Sequence, residues 1–108
     1  MKTYKLEDGT EVYVLRSTYT SNGSLAVMLY DAEDNEPYAV ITTNIDDSDN
    51  LHNKFFAFVD TNNCPWAKEF LIRNCLGVPM PQKGHSGFCT YPLFLFAIDE
   101  IEPLEHYA

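Results

Sequence analysis

Three cysteines and one histidine are the residues of this chain best suited to chemistry. Cys64 stands at the expected start of a helix, where the helix dipole and unpaired backbone N–H groups stabilise a thiolate. His85 is the residue that could serve such a nucleophile as its base. No known catalytic signature surrounds either one, and nothing in the order of the chain brings them together. Cysteine most often acts as a small buried hydrophobe, so Cys64 and His85 remain weak candidates and no catalytic residue is assigned. Cys64, Cys75, Cys89 and His85 have the ligand types of a zinc site but none of its short spacings. Asp46, Asp47 and Asp49 are rich in oxygen, yet their loop lacks the calcium-loop pattern and its terminal Glu. Neither a metal nor a cofactor is expected. There is also no phosphate-binding glycine pattern, no Gly-x-Ser-x-Gly elbow and no paired His-Glu helix motif.

Charge is the distinctive feature. Sixteen Asp and Glu against seven Lys and Arg give a formal charge of −9, which repels phosphate backbones and anionic membrane surfaces. Direct binding to nucleic acid or to a membrane is therefore not expected, and no apolar run approaches the roughly 18 residues of a membrane span. The chain enters strand-like sequence directly after Met1-Lys2-Thr3 without an apolar leader, so a cytoplasmic location is the expectation. Three cysteines, odd in number and without a Cys-x-x-Cys pair, read as reduced thiols. Between Ser17 and Asn53 there is no Lys or Arg, whereas Asp31, Glu33, Asp34 and Glu36 precede the strand that starts at Pro37 and Asp46, Asp47 and Asp49 follow it. Asp99, Glu100, Glu102 and Glu105 form another acidic group after the last strand. Such groups either keep a surface soluble or form a docking face for a basic groove.

The elements that position these residues are mostly strands. At 108 residues, with 45% hydrophobic, 14% aromatic and 21% charged side chains, the chain reads as one domain over residues 1–108. Residues 3–6 and 11–20 flank Asp8-Gly9, the preferred centre of a two-residue type I′ hairpin turn. Leu25–Tyr30 is continuously apolar, as in a strand covered on both faces, and another strand runs from Pro37 to about Ile45. Turns near Asn22-Gly23 and Asp34-Asn35 complete a four-stranded meander. Phe55–Val59 resumes β-like sequence. Cys64–Leu76 is the one helix, capped at Asn62, Asn63 or Cys64, with Pro65 in its first turn, a Glu69–Arg73 pair and a stop at Gly77. Trp66, Ala67, Phe70, Leu71 and Cys75 share its buried face, and Ile72 and Leu76 on the far side are a possible apolar patch. Residues 78–87 read as a loop in which Ser86-Gly87 bends Phe88 into the sheet, followed by strand on both sides of Pro92 and a loosely held tail from Asp99. The fold class is α+β: mainly antiparallel sheet, five to seven strands, with one helix over about 64–76 packed on it.

Several segments carry a resemblance to a known group of proteins. They are Asn22-Gly23 before Leu25-Ala26-Val27, Tyr30-Asp31, Glu36-Pro37-Tyr38-Ala39, Asp60-Thr61-Asn62-Asn63 with Pro65-Trp66, Leu76-Gly77, Ser86-Gly87-Phe88 and Tyr91-Pro92-Leu93. In these the chain resembles a domain-of-unknown-function family of small acidic proteins encoded on mobile elements of gut bacteria. The resemblance implies a shared fold and a genomic setting but supplies no catalytic residues. The functional expectation is a non-enzymatic interaction module that presents Asp31, Glu33, Asp34, Glu36, Asp46, Asp47 and Asp49 to a basic partner protein, as an inhibitor or decoy. The alternative is a small thiol enzyme or redox protein that uses Cys64.

Overall fold

The computed structural model describes residues 2–21, 23–45 and 55–107. β1 (Tyr4–Lys5) and β2 (Glu11–Thr18) pair antiparallel, with Tyr4 opposite Val12. Between them the Gly9 N–H donates to the Leu6 carbonyl (3.0 Å) and the Leu6 N–H to the Thr10 carbonyl (2.8 Å). Gly9 is left-handed at φ 91°, and neither Glu7 nor Asp8 is. The turn is thus a three-residue loop closed by one left-handed glycine, not the expected type I′ turn, which needs two such residues. Asp8 suits it because its Oδ1 accepts the Thr10 N–H at 2.9 Å.

The meander continues through β3 (Leu25–Asp31) and β4 (Pro37–Val40), both antiparallel to their predecessors. The two turns fall where expected, with Gly23 at φ 73° and Asn35 at φ 62°. The strand expected to continue to Ile45 breaks instead at Ile41, whose N–H donates to the Val27 carbonyl at 3.0 Å. β5 (Thr42–Thr43) then pairs with β6 (Phe56–Val59) in a second sheet. Buried Thr42 holds the crossover: its Oγ1 accepts the Val27 N–H at 3.1 Å and lies 3.0 Å from the Tyr19 hydroxyl.

The second sheet has the order β5-β6-β8-β7, with β7 at Gly77–Ser86 and β8 at Cys89–Phe96. β7 replaces the loop expected over residues 78–87. Proline is tolerated there because β7 is an edge strand, and its register slips between Pro79 and Lys83, around Pro81. Pro92 sits inside β8 for a related reason: β6 pairs only with Leu93, Phe94 and Leu95, so no bond from Pro92 toward β6 is lost. Gly84 passes beneath an aromatic ring, and a Cβ there would stand 2.8 Å from Phe58 Cε1. Gly87, at φ 60°, forms the two-residue β7–β8 turn. This turn points Phe88 out of the sheet, fully exposed, where a bend into the sheet was expected.

The helix α1 spans Ala67–Arg73, shorter than the expected 64–76. Its N-cap is Trp66 without a side-chain bond, and residues before it belong to a turn in which Asp60 Oδ1 accepts the Asn63 N–H (3.1 Å). The left-handed residue that ends the helix is Cys75 (φ 57°), not Gly77. That reversal exposes Cys75 and swings Leu76 inward, where it is buried. Gly77 serves packing: a Cβ would approach Phe94 Cδ2 to 3.1 Å.

The tail is docked, contrary to expectation. After a 3-10 turn at Ile98–Glu100, β9 (Glu102–Pro103) pairs parallel with β2, and α2 (Leu104–Tyr107) follows. Ile101 is buried and its carbonyl accepts Arg16 Nε at 2.9 Å. The main core joins Val12, Val14, Val27 and Leu29 of the first sheet to Val59, Phe94 and Phe96 of the second and Phe70 and Leu71 of the helix. Ile45, Phe58, Tyr91 and Leu93 form a smaller cluster. The fold is α+β, with nine mostly antiparallel strands in two sheets among the described residues, one main helix and one short one.

Candidate functional site

The cysteines and His85 are not brought together. Cys64 is 6% exposed, two residues before the helix N-cap, and its Sγ donates to the Val40 carbonyl at 3.8 Å. Burial, and secondarily the Asp60 carboxylate, pushes its thiol above the ordinary value. This is the reverse of the shift an activated nucleophile needs. His85 is exposed on β7, with Nδ1 at 3.1 Å from Thr90 Oγ1. Cys75 is exposed after the helix, where the buried helix face was expected, and Cys89 is half-buried beside the smaller cluster. No group of three or more His, Cys, Asp or Glu that could hold a metal ion occurs among the described residues.

Of the acidic candidates, Asp31, Glu33, Asp34 and Glu36 share the β3–β4 turn. Two side chains build that turn: Asp31 Oδ1 accepts the Glu33 N–H (2.8 Å) and Asp34 Oδ1 the Glu36 N–H (3.0 Å). The Ala32 N–H donates to the Glu11 carbonyl at 2.9 Å, which ties this turn to the β1–β2 hairpin. Glu11, Asp31 and Glu33 therefore line one depression with Gly9 and Thr10. Asp46, Asp47 and Asp49 lie outside the described residues. The apolar candidates separate: Ile72 is 45% exposed, beside exposed Val78 and Leu95, whereas Leu76 is in the core because the chain reverses at Cys75.

On the other side of the β1–β2 turn the structure places a groove of about 230 Å³ that sequence reading did not anticipate. Leu6, Tyr38, Trp66 and Phe70 form its apolar walls, and Glu7, Asp8 and Arg73 its charged rim. Trp66 stands edge-to-face with both Tyr38 (centroids 6.3 Å) and Phe70 (6.2 Å). Arg73 Nη2 donates to the Lys5 carbonyl (3.3 Å), and Nη1 lies 3.9 Å from Glu7 Oε1. That partnership replaces the expected Glu69–Arg73 pair as the contact that orients Arg73. Asp8 is held below the usual carboxylate range by the Thr10 N–H, so it stays ionised. The only advance signal was Trp66 itself, since Tyr38 and Leu6 reach it through pairings distant in sequence.

Two packed sheets and a short helix, with an acidic turn and an aromatic groove on either side of one hairpin, define a small α+β domain whose distinctive features are surfaces. The chain belongs to the family described as Domain of unknown function (DUF4313), whose model matches residues 14–107. No curated protein and no solved structure matches it.

Proposed function

We propose that this chain is a non-enzymatic interaction module of mobile-element type, acting in the cytoplasm as an inhibitor or decoy that presents carboxylates to a basic partner protein. The observation that carries this reading is the β3–β4 turn: four carboxylates in six residues, backed by Glu11 across the Ala32 hydrogen bond. Two of them are oriented by their own backbone, so charge is displayed at fixed positions on one sheet end. Carboxylates fixed in this way can stand where a basic groove otherwise holds phosphates, and they steer association at long range.

The test is the association rate with a partner captured from the native host. Wild type should bind more slowly as salt rises, because steering acts over a Debye length of about 8 Å at physiological ionic strength. The variant with Asp31→Asn, Glu33→Gln, Asp34→Asn and Glu36→Gln should bind at the high-salt rate throughout. Equal rates for the two proteins, flat with salt, would overturn the proposal.

A further inference from the structure

The groove and the acidic depression are two sides of one hairpin turn. Leu6, Glu7 and Asp8 line the first, and Gly9, Thr10 and Glu11 the second. A partner steered to the carboxylates of the β3–β4 turn therefore arrives beside Trp66 and Tyr38. From this continuity we infer that the groove takes a cationic side chain of the basic partner, an arginine guanidinium, against Tyr38 and Trp66 with Glu7 and Asp8 at its rim. This inference rests on the acidic-face reading above and extends it from steering to anchoring.

Three observations converge on a cation. First, the walls are aromatic, and the negative face of an aromatic ring attracts guanidinium and ammonium groups within about 6 Å. Second, the chain already uses this interaction on the same run of rings. Tyr4 stands edge-to-face with Phe70 at 6.3 Å, and Lys2 Nζ lies 5.1 Å from the Tyr4 ring centroid. The run Tyr4–Phe70–Trp66–Tyr38 thus carries a cation of its own at the Tyr4 end, while the Tyr38 end is 42% exposed. Third, the rim holds two carboxylates against one guanidinium, and Arg73 already donates to the Lys5 carbonyl, with only a loose 3.9 Å approach to Glu7. An incoming arginine meets a net negative rim. A bound carboxylate would instead have to pair with Arg73 while facing Glu7 and Asp8.

The chain contains a single tryptophan, so its fluorescence reports on this groove alone. The full chain is titrated with a tripeptide of one arginine between two glycines, both ends blocked, and with controls that carry citrulline or glutamate in place of arginine. The arginine peptide should give a saturable change that weakens with salt, and the neutral and acidic peptides should not. Glu7→Gln with Asp8→Asn should weaken it about two- to fivefold, as should Tyr38→Ala, each close to the value of one exposed ion pair or cation–π contact. Arg73→Gln should tighten it, since that change removes the competing cation. Circular dichroism melts check that each variant is folded, and Trp66→Phe should abolish the signal while leaving calorimetric heat. No saturable change with the arginine peptide, equal binding of the citrulline peptide, or preferred binding of the glutamate peptide with loss in Arg73→Gln would each overturn the inference. The acidic-face reading is tested separately: it stands if neutralising the β3–β4 turn still slows partner association, and it falls if the groove binds arginine but that neutralisation changes nothing.

Discussion

The Cys64 thiol donates to the Val40 carbonyl from a site that is 6% exposed, and Asp60 adds a negative charge nearby. Both influences favour the protonated form, burial more than charge. A thiol that holds its proton more tightly folded than unfolded contributes fully to stability below the ordinary thiol value, about 8.5. As pH rises beyond that, the unfolded chain ionises first and the contribution is lost. Stability should therefore decline on the alkaline side, and Cys64→Ser should reduce that slope. Cys75 supplies an internal standard for reactivity, since it is exposed. At neutral pH iodoacetamide should label Cys75 well before Cys64, as read by peptide mass mapping of the native protein. Labelling of Cys64 as fast as Cys75 would show a thiol that is open and activated, and would revive a nucleophilic role.

At the scale of elements, the edge strand β7 owes its form to Pro79 and Pro81. Proline has no N–H to offer an added strand, and the register slip before Lys83 bends the edge away from regular pairing. Replacing both prolines with threonine should restore donors on an edge flanked by exposed Val78 and Ile72. The expected outcome is concentration-dependent self-association in sedimentation velocity, absent from wild type; a monomeric double variant would show that another feature protects the edge. The same prolines explain why this strand was not legible in advance. Pro79, Pro81, Gly84 and Gly87 are loop formers in local terms, and only pairing with β8 and the Gly84–Phe58 approach turn them into a strand. The meander to Val40 was legible because its turns carry their own chemistry, Asp-Gly, Gly23 and Asn35, and because apolar β3 must be central. The helix was legible as a helix, but its ends depend on the Asp60 turn and on the reversal at Cys75, neither of which periodicity encodes. For the site, the acidic turn could be read from composition. The aromatic groove could not, because it is assembled from β4, the β1–β2 turn and α1.

Over the whole molecule, charge is segregated. No Asp or Glu occurs from Phe70 to Ile98, a stretch that includes Arg73, Lys83 and His85, while the first sheet carries the β3–β4 turn and the residues beyond Ile98 carry Asp99, Glu100, Glu102 and Glu105. The molecule measures 39 Å along its longest axis, several times the Debye length of about 8–10 Å near physiological salt. Repulsion at that salt is therefore local to each acidic group, and the six-residue β3–β4 turn holds four carboxylates within one such range. Asparagine keeps the Oδ1 acceptor that Asp31 and Asp34 use for the turn, so replacement there removes charge without removing the hydrogen bonds. The variant Asp31→Asn, Glu33→Gln, Asp34→Asn, Glu36→Gln should accordingly be more stable than wild type in dilute buffer. With repulsion relieved by roughly 0.5–1 kcal/mol, its melting temperature should rise by a few degrees for a domain of this length. Added salt should raise the wild-type melting temperature toward the same value and move the variant less. If the variant melts at or below the wild-type temperature with the same salt slope, the four carboxylates do not repel one another in the folded state. The turn would then be a solvated surface with no stored repulsion for a basic partner to relieve.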